Sequence, residues 1–411
     1  MPALPGSPSV GMTASPAARP DAIRRHNLAL ILGHVHRDGA LTRAELTQRL
    51  GVSRSTVGAL VADLIELKLV EESVPTGGEG VGRPSYVVGP HPQGPYVLAI
   101  DVNVTHLATA AVGIGGAILA RSLVPTGAEP PTPAATVDMI AAAMVELRDA
   151  VAPASVAVGV GVSVPGTVDR RTKFIGVAPN LGWRDVPLGD LLNERIGAEL
   201  PISIGNDADL SVLTELRRGS ARGLSDVVYL IGRTGIGAGI IVNGAPLRGR
   251  DGRAGEVGHN VIDKHGPPCH CGKNGCLETF IGDAALLALA GRSVEPTDEQ
   301  VAAVFADARD GDRAALTAIR TVAESVGQAI GNLVNTLNPQ RVILGGTLSG
   351  VLELARVEVE GALQRYAFDP GHPVELCPPD FGEDSALLGA AELALNDLLA
   401  DPVAADAQLA R

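Results

Sequence analysis

The chain has 411 residues, of which 45% are hydrophobic and only ten aromatic, with four cysteines and a formal net charge of −13. At roughly 150 residues per domain this length accommodates two to three domains; the acidic balance excludes a chain that coats nucleic acid over its whole surface, and the crowding of Cys269, Cys271 and Cys276 into eight residues excludes a disulfide framework spread along a secreted scaffold. No basic start with an apolar run opens the sequence, and no stretch supplies the roughly 20 apolar residues of a membrane span, so a cytoplasmic protein with no membrane partner is expected.

Residues 1–20 are rich in Pro, Ala and Ser, lack an apolar period and read as a flexible tail. Leu28, Ile31, Leu32 and Val35 then recur at helical spacing, and Gly39 closes that helix. Thr42-Arg43-Ala44-Glu45 spells a capping box, in which hydroxyl and carboxylate each satisfy the other residue's backbone N–H. Gly51-Val52-Ser53 makes a turn, with Ser53 as the next N-cap. Val57, Leu60, Val61 and Leu64 form a third stripe. Leu69–Val74 and Ser85–Val88 read as strands around a glycine-rich tip, Gly77–Pro84. Three short helices and a hairpin over residues 21–89 make a winged helix-turn-helix. Arg54, Ser55 and Thr56 would lead the third helix into the major groove, with Thr42, Arg43 and Ser53 beside them, and Arg83 at the wing would reach phosphate or the minor groove. Between Arg19 and Tyr86 there are nine bases and eight acids, a charge of +1, against −14 for the remainder. That asymmetry fits a nucleic-acid module on an acidic body; a protein-interaction module with the same helices and hairpin is the rival reading.

Pro90–Pro95 reads as a linker. Beyond it strands and helices alternate: strands at Tyr96–Val102, Leu107–Val112 and Ala117–Leu123, a helix at Thr136–Ala150, a buried strand at Val156–Val164, a short one at Ile202–Ile204 and a helix at Asp209–Arg217. The pattern repeats with strands at Val227–Gly232 and Ile240–Val242, a long helix at Ala314–Leu337, a strand at Arg341–Leu344 and a closing helix at Ser385–Leu399. Two strand triplets followed by helices predict two α/β lobes around a cleft: residues 90–215, with 380–400 returning to them, and residues 216–379.

In the second lobe, His259 precedes Cys269-His270-Cys271-Gly272-Lys273-Asn274-Gly275-Cys276. His259, Cys269, Cys271 and Cys276 make a Cys3His set suited to a structural Zn²⁺ with no open position for water. His265 and His270 are rival nitrogen ligands, although His270, between two cysteines, is expected to point away; unliganded reduced thiols are the bland alternative.

Glu256-Val257-Gly258-His259 followed by Cys-x-Cys-Gly-x-x-Gly-Cys-x-Glu resembles the signature of the ROK family (repressors, open reading frames, kinases). The resemblance continues through Val162–Gly166, Pro179–Trp183, Asn206-Asp207-Ala208 and Gly345-Gly346, over about residues 95–400. The N-terminal module resembles that of the family's repressors. The implied fold is α/β, a winged helix-turn-helix followed by a two-lobed, actin-like (ribonuclease H-like) domain.

The resemblance implies a sugar pocket built from Gly166, Asn180, Asn206, Asp207, Glu256, His259 and Glu278, with Asp207 where the family's kinases place their catalytic base. Spacing alone allows that Asp207 or Asp209 merely caps a helix, and that Glu256 and Glu278 are solvated acids. The phosphate side departs from the kinase pattern. An Asp-x-Gly-Gly-Thr loop is replaced by Asp101-Val102-Asn103-Val104-Thr105, and the first glycine of Gly-Thr-Gly-Ile-Gly by Arg233. Glycine-free backbone crowds a phosphate cradle. The expectation is therefore a non-enzymatic repressor of carbohydrate-metabolism genes, binding operator DNA and a sugar or sugar-phosphate effector as a homodimer or homotetramer. The alternatives are an active ATP-dependent sugar kinase with a DNA-binding appendage, or a regulator controlled by a protein partner.

Overall fold

The computed structural model describes residues 20–74, 86–127, 129–293 and 297–404. The N-terminal unit begins with α1 (Pro20–Asp38), whose buried stripe is Leu28, Ile31, Leu32 and Val35. It continues through β1 (Leu41–Thr42), α2 (Arg43–Leu50), α3 (Arg54–Glu66), β2 (Val70–Ser73) and β3 (Val87–Pro90). The capping box forms as its sequence dictates: Glu45 N–H donates to Thr42 Oγ1 at 3.2 Å, and Thr42 N–H donates to Glu45 Oε2 at 2.7 Å. Ser53 Oγ likewise accepts from Thr56 N–H at 3.2 Å and starts α3. The hairpin gains a third strand, in the order β1-β3-β2. The glycine-rich tip and Arg83 lie outside the described residues.

The first lobe contains β4 (Tyr96–Val102), β5 (His106–Gly113), β6 (Ile118–Pro125), α4 (Pro133–Ala150), β7 (Ala157–Val164), β8 (Val168–Asp169), β9 (Phe174–Ala178), β10 (Trp183–Val186), α5 (Leu188–Ile196), β11 (Ile202–Asn206) and α6 (Asp207–Arg218). The second contains β12 (Val227–Gly232), β13 (Ile236–Val242), β14 (Ala245–Pro246), α7 (Glu278–Ile281), α8 (Asp283–Leu289), α9 (Asp298–Arg309), α10 (Arg313–Leu337), β15 (Arg341–Gly346), α11 (Thr347–Tyr366) and β16 (Glu375–Cys377); α12 (Ser385–Ala400) follows. The two five-stranded sheets, β11-β7-β4-β5-β6 and β14-β13-β12-β15-β16, repeat one order: three antiparallel strands, then two parallel ones on the other side of the first. This doubled pattern is the actin-like architecture that the motifs implied. All seven residues of β4 are buried, as a central strand requires, whereas β6 alternates toward solvent as an edge.

The closing helix α12 returns to the first sheet and packs on α6, so closely that a Cβ on Gly389 would stand 2.1 Å from the Leu210 carbonyl oxygen. One continuous apolar cluster runs from Leu32, Val57 and Leu64 of the N-terminal unit through Val97 and Ala108 of the first sheet to Leu388 and Leu395 of α12. The segment expected as a linker, Pro90–Pro95, joins β3 to β4; its Pro92 and Gln93 are exposed, whereas Gly94 and Pro95 are buried. Among the described residues, no helix is long and apolar enough to cross a membrane.

Candidate functional site

A cleft of about 1290 Å³ lies between the lobes. Gly166, Asn180, Asn206, Asp207, Glu256, His259 and Glu278, which are spread over more than a hundred positions in sequence, all line it. Its floor is the junction of β11 and α6. Asn206, not Asp207 or Asp209, is the N-cap: its Oδ1 accepts from Asp209 N–H at 3.1 Å, while its Nδ2 donates to the Gly166 carbonyl at 3.1 Å and to Asp207 Oδ1 at 2.9 Å. Asn206 therefore holds Asp207 in place, and Asp207 Oδ1 also accepts from Ala208 N–H at 2.9 Å. Gly166 supplies its carbonyl and its lack of a side chain, since a Cβ there would meet the Val177 carbonyl oxygen at 2.6 Å.

Burial pushes the Asp207 carboxyl up to about 7; the neighbouring Asp101 charge adds to this and Arg233 opposes it. Burial also raises Asp209 to about 6, against the pull of Arg248 and Arg170. Desolvation raises Glu256. A neutral or half-ionised carboxyl at the floor can both donate to and accept from ligand hydroxyls.

Arg233, in the turn between β12 and β13, reaches across the cleft. It donates through Nη1 to Asn103 Oδ1 at 2.5 Å in the turn between β4 and β5, and through Nη2 to Glu383 ahead of α12. Asn103 in turn donates to Asp101 Oδ2 at 2.7 Å. This chain of charged and polar groups links the β12–β13 turn to the β4–β5 turn and to the segment ahead of α12. Asn103 and Glu383 were not singled out as partners for Arg233, because they lie 130 and 150 positions from it.

At the cleft's rim, His259, Cys269, Cys271 and Cys276 converge with all ligand atoms within 4.8 Å of one another. Cys269 Sγ lies 3.2 Å from Cys271 Sγ and 3.7 Å from His259 Nδ1, and Cys271 Sγ lies 3.6 Å from Cys276 Sγ. Sulfurs about 2.3 Å from a tetrahedral zinc stand about 3.8 Å apart, so the donor set fits such an ion with little adjustment. His270 stays outside the Cys3His set, as expected, and turns instead toward His259 and Glu278. Its ring stands edge-on to His259 with centroids 5.4 Å apart, and its Nδ1 is 3.2 Å from Glu278 Oε1. His259, His270 and Glu278 form a second possible ligand group sharing His259.

In the N-terminal unit most of the expected DNA-contacting side chains are engaged internally. Thr42 is tied to Glu45. Arg43 pairs with Glu72 through both Nε and Nη2. Ser53 caps α3, and Ser55 and Thr56 hydroxyls lie 2.8 and 2.9 Å from its Oγ. Arg54, exposed at the start of α3, is the member of the group for which no hydrogen bond or ion pair is seen among the described residues.

Comparison with known proteins places these features in context. The sequence profile of the ROK family matches residues 97–397, and that of the MarR family matches residues 29–78. A xylose repressor of Bacillus spizizenii is 29% identical over 387 residues, covering 92% of this chain and 97% of that protein. A glucokinase of Halalkalibacterium halodurans is 31% identical over 309 residues, covering 72% of this chain and 93% of the enzyme. Among solved structures, a ROK family transcriptional regulator described as a homologue of the E. coli MLC protein superposes with a TM-score of 0.74 at 22% identity, covering 94% of this chain and 98% of that one. With its doubled sheets, its cysteine-rich rim and the profile match across most of its length, the chain belongs to the ROK family.

Proposed function

We propose that this protein is a sugar-responsive DNA-binding repressor of carbohydrate-metabolism genes, and that its ROK domain senses sugar without phosphorylating it. The observation that carries this reading is Arg233. Its guanidinium is tied to Asn103 and Glu383 at the turn where a nucleotide's phosphates would approach, while Asn206, Asp207, Glu256, His259 and Glu278 still line the same cleft. A cleft that has kept its polyol-binding groups and filled its phosphate side is suited to binding rather than transfer. The end-to-end similarity to xylose repressors, winged module included, supports the same view.

In this reading Gly166, Asn180, Asn206, Asp207, Glu256, His259 and Glu278 contact the sugar. Thr42, Arg43, Ser53, Arg54, Ser55 and Thr56 contact DNA, Arg54 at base edges, and Arg83 reaches phosphate or the minor groove. His259, Cys269, Cys271 and Cys276 hold a structural Zn²⁺, which when bound fixes the rim loop and leaves the second ring nitrogen of His259 to the sugar. A homodimer or homotetramer in the cytoplasm would match a two-fold operator. The test is a thermal-shift screen of neutral pentoses and hexoses, followed by ATP consumption with any stabilising sugar. Stabilisation without ATP turnover is expected, because a ligand of the folded state raises its apparent stability. Turnover that disappears in Asp207→Asn would establish the kinase reading instead.

A further inference from the structure

We propose that α6 is the element through which the cleft reports its occupancy to the DNA-binding unit, acting through a buried hub of Arg218, Glu392 and His36. This inference rests on the sugar-sensor reading above. The first turn of α6 is the cleft floor: Asn206 caps it, and Asp207 and Asp209 both line the cleft. Its last turn carries Arg217 and Arg218. Twelve residues at about 1.5 Å each make a rod of roughly 18 Å with no break in it.

The far end of that rod is bonded to the last turn of α1 and to α12. Arg218 donates through Nε to Glu392 Oε1 at 2.7 Å, through Nη2 to the His36 carbonyl at 2.6 Å, and through Nη1 to the Gly115 carbonyl. Arg217 donates through Nη1 to Glu392 Oε2 at 2.9 Å. His36, in the last turn of α1, lies 3.0 Å from both Glu392 oxygens through its Nε2, and its Nδ1 accepts from Gly115 N–H at 3.0 Å. His36 and Glu392 are each 2% exposed, so these bonds are sheltered from water. Two residues on, Asp38 accepts from Arg222 of the segment after α6 and from Arg49 of α2.

Along its length α6 is also locked to α12. Glu215 accepts from Asp380 N–H, Phe381 N–H and Ser385 Oγ, and Thr214 Oγ1 donates to the Ser385 carbonyl at 2.7 Å. The turn so fixed carries Glu383, the partner of Arg233. A ligand that shifts the floor thus acts on a helix that cannot move without moving either the hub or the interlobe tie. Coupling of this kind needs a contiguous set of groups with differential contacts in two states, and α6 with its hub supplies the contiguous set.

The test uses the full-length chain, a duplex selected from a random library by the wild-type protein, and D-xylose or D-glucose, whichever raises the thermal midpoint. Arg218→Lys keeps a cation beside Glu392 but cannot also reach the His36 and Gly115 carbonyls. The variant is expected to bind sugar and duplex within about twofold of wild type, while the factor by which sugar changes duplex affinity falls at least fivefold. His36→Gln, which can still bond Glu392 and Gly115, is expected to retain the response, and His36→Ala to lose it. Hydrogen exchange provides a second readout: sugar should alter amides of α6 and of the last turn of α1 in wild type, but only those of α6 in Arg218→Lys. A full sugar response in Arg218→Lys, or an α1 signal that persists in it, overturns the proposal. If the variant does not fold, the His36→Gln and His36→Ala pair decides in its place: equal responses in the two overturn the hub. A wild-type protein that binds no duplex, or binds duplex indifferently to every sugar, overturns the parent reading itself and is told apart by needing no variant.

Discussion

Replacing Asp207 by Asn should stabilise the protein, and by an amount that depends on pH. Burial lifts the Asp207 carboxyl from an ordinary 3.8 to about 7 in the folded state, so folding favours its neutral form. The stability associated with that neutral form is fully present below pH 3.8 and is lost as pH rises through 7. Each unit of difference corresponds to about 1.4 kcal/mol, which makes the cost of ionised Asp207 about 4 kcal/mol at pH 8 and under about 2 kcal/mol at pH 5. Asp207 retains some contact with water in the cleft, so both figures are ceilings. Asn has the same shape, and its amide oxygen can accept from Asn206 Nδ2 and Ala208 N–H as the carboxylate does. The variant's thermal midpoint should therefore exceed that of wild type by a few degrees, at most about 5 °C, at pH 8 and by much less at pH 5. Paired thermal melts across pH 4.5–8.5 measure this. A difference that stays flat with pH, or an Asn variant less stable than wild type at pH 8, would refute the assignment of an unfavourable buried charge to this position.

Arg233→Gly removes the cation that opposes this shift, so the folded-state value of Asp207 should rise further, and the loss of stability with rising pH should continue further above pH 7 and reach a larger total; a pH dependence unchanged in the same melts would show that the guanidinium does not act on Asp207. Arg54→Ala should weaken binding to a selected duplex by about 1–3 kcal/mol and relax sequence preference at one position, as measured by titration against single-base variants; a uniform loss with a salt slope lowered by about one would instead make it a phosphate contact. Elemental analysis should find one zinc per chain, and Cys271→Ser should remove it while lowering the thermal midpoint; metal-free protein with an unaltered midpoint and sugar response would refute the structural role.

What could be read before the structure was local chemistry. Thr42 and Glu45 are three residues apart and need nothing else to form their box, so the start of α2 was legible. The apolar run of β4 and the long helix α10 were equally plain, and the close spacing of Cys269, Cys271 and Cys276 announced a convergent site. The small sheet β8-β9-β10 was missed because its strands have two to five residues and little alternation. Missing β1 has the same origin: two residues give no period. The long helix α11 was missed too, opening on Gly346 in the left-handed region and bending at Ala355. Least legible were the partnerships made by topology. His36 meets Glu392 across 356 positions and Arg218 across 182, and neither carries a local signal. Spacing offered Asp207 or Asp209 as the cap of α6, and the cap proved to be Asn206, which accepts from Asp209 N–H.

The apolar seam that joins the winged unit to the first sheet and α12 has a practical consequence. An excised fragment ending near residue 90 would leave the mating surfaces of α1 and β3 wet, and a body trimmed of its first ninety residues would lay bare Ile114, Leu388 and Leu395. Neither half is then expected to stand alone as a well-behaved fragment, and any tilt of the recognition helix toward DNA must be carried by the first lobe as a whole rather than by a swivelling appendage.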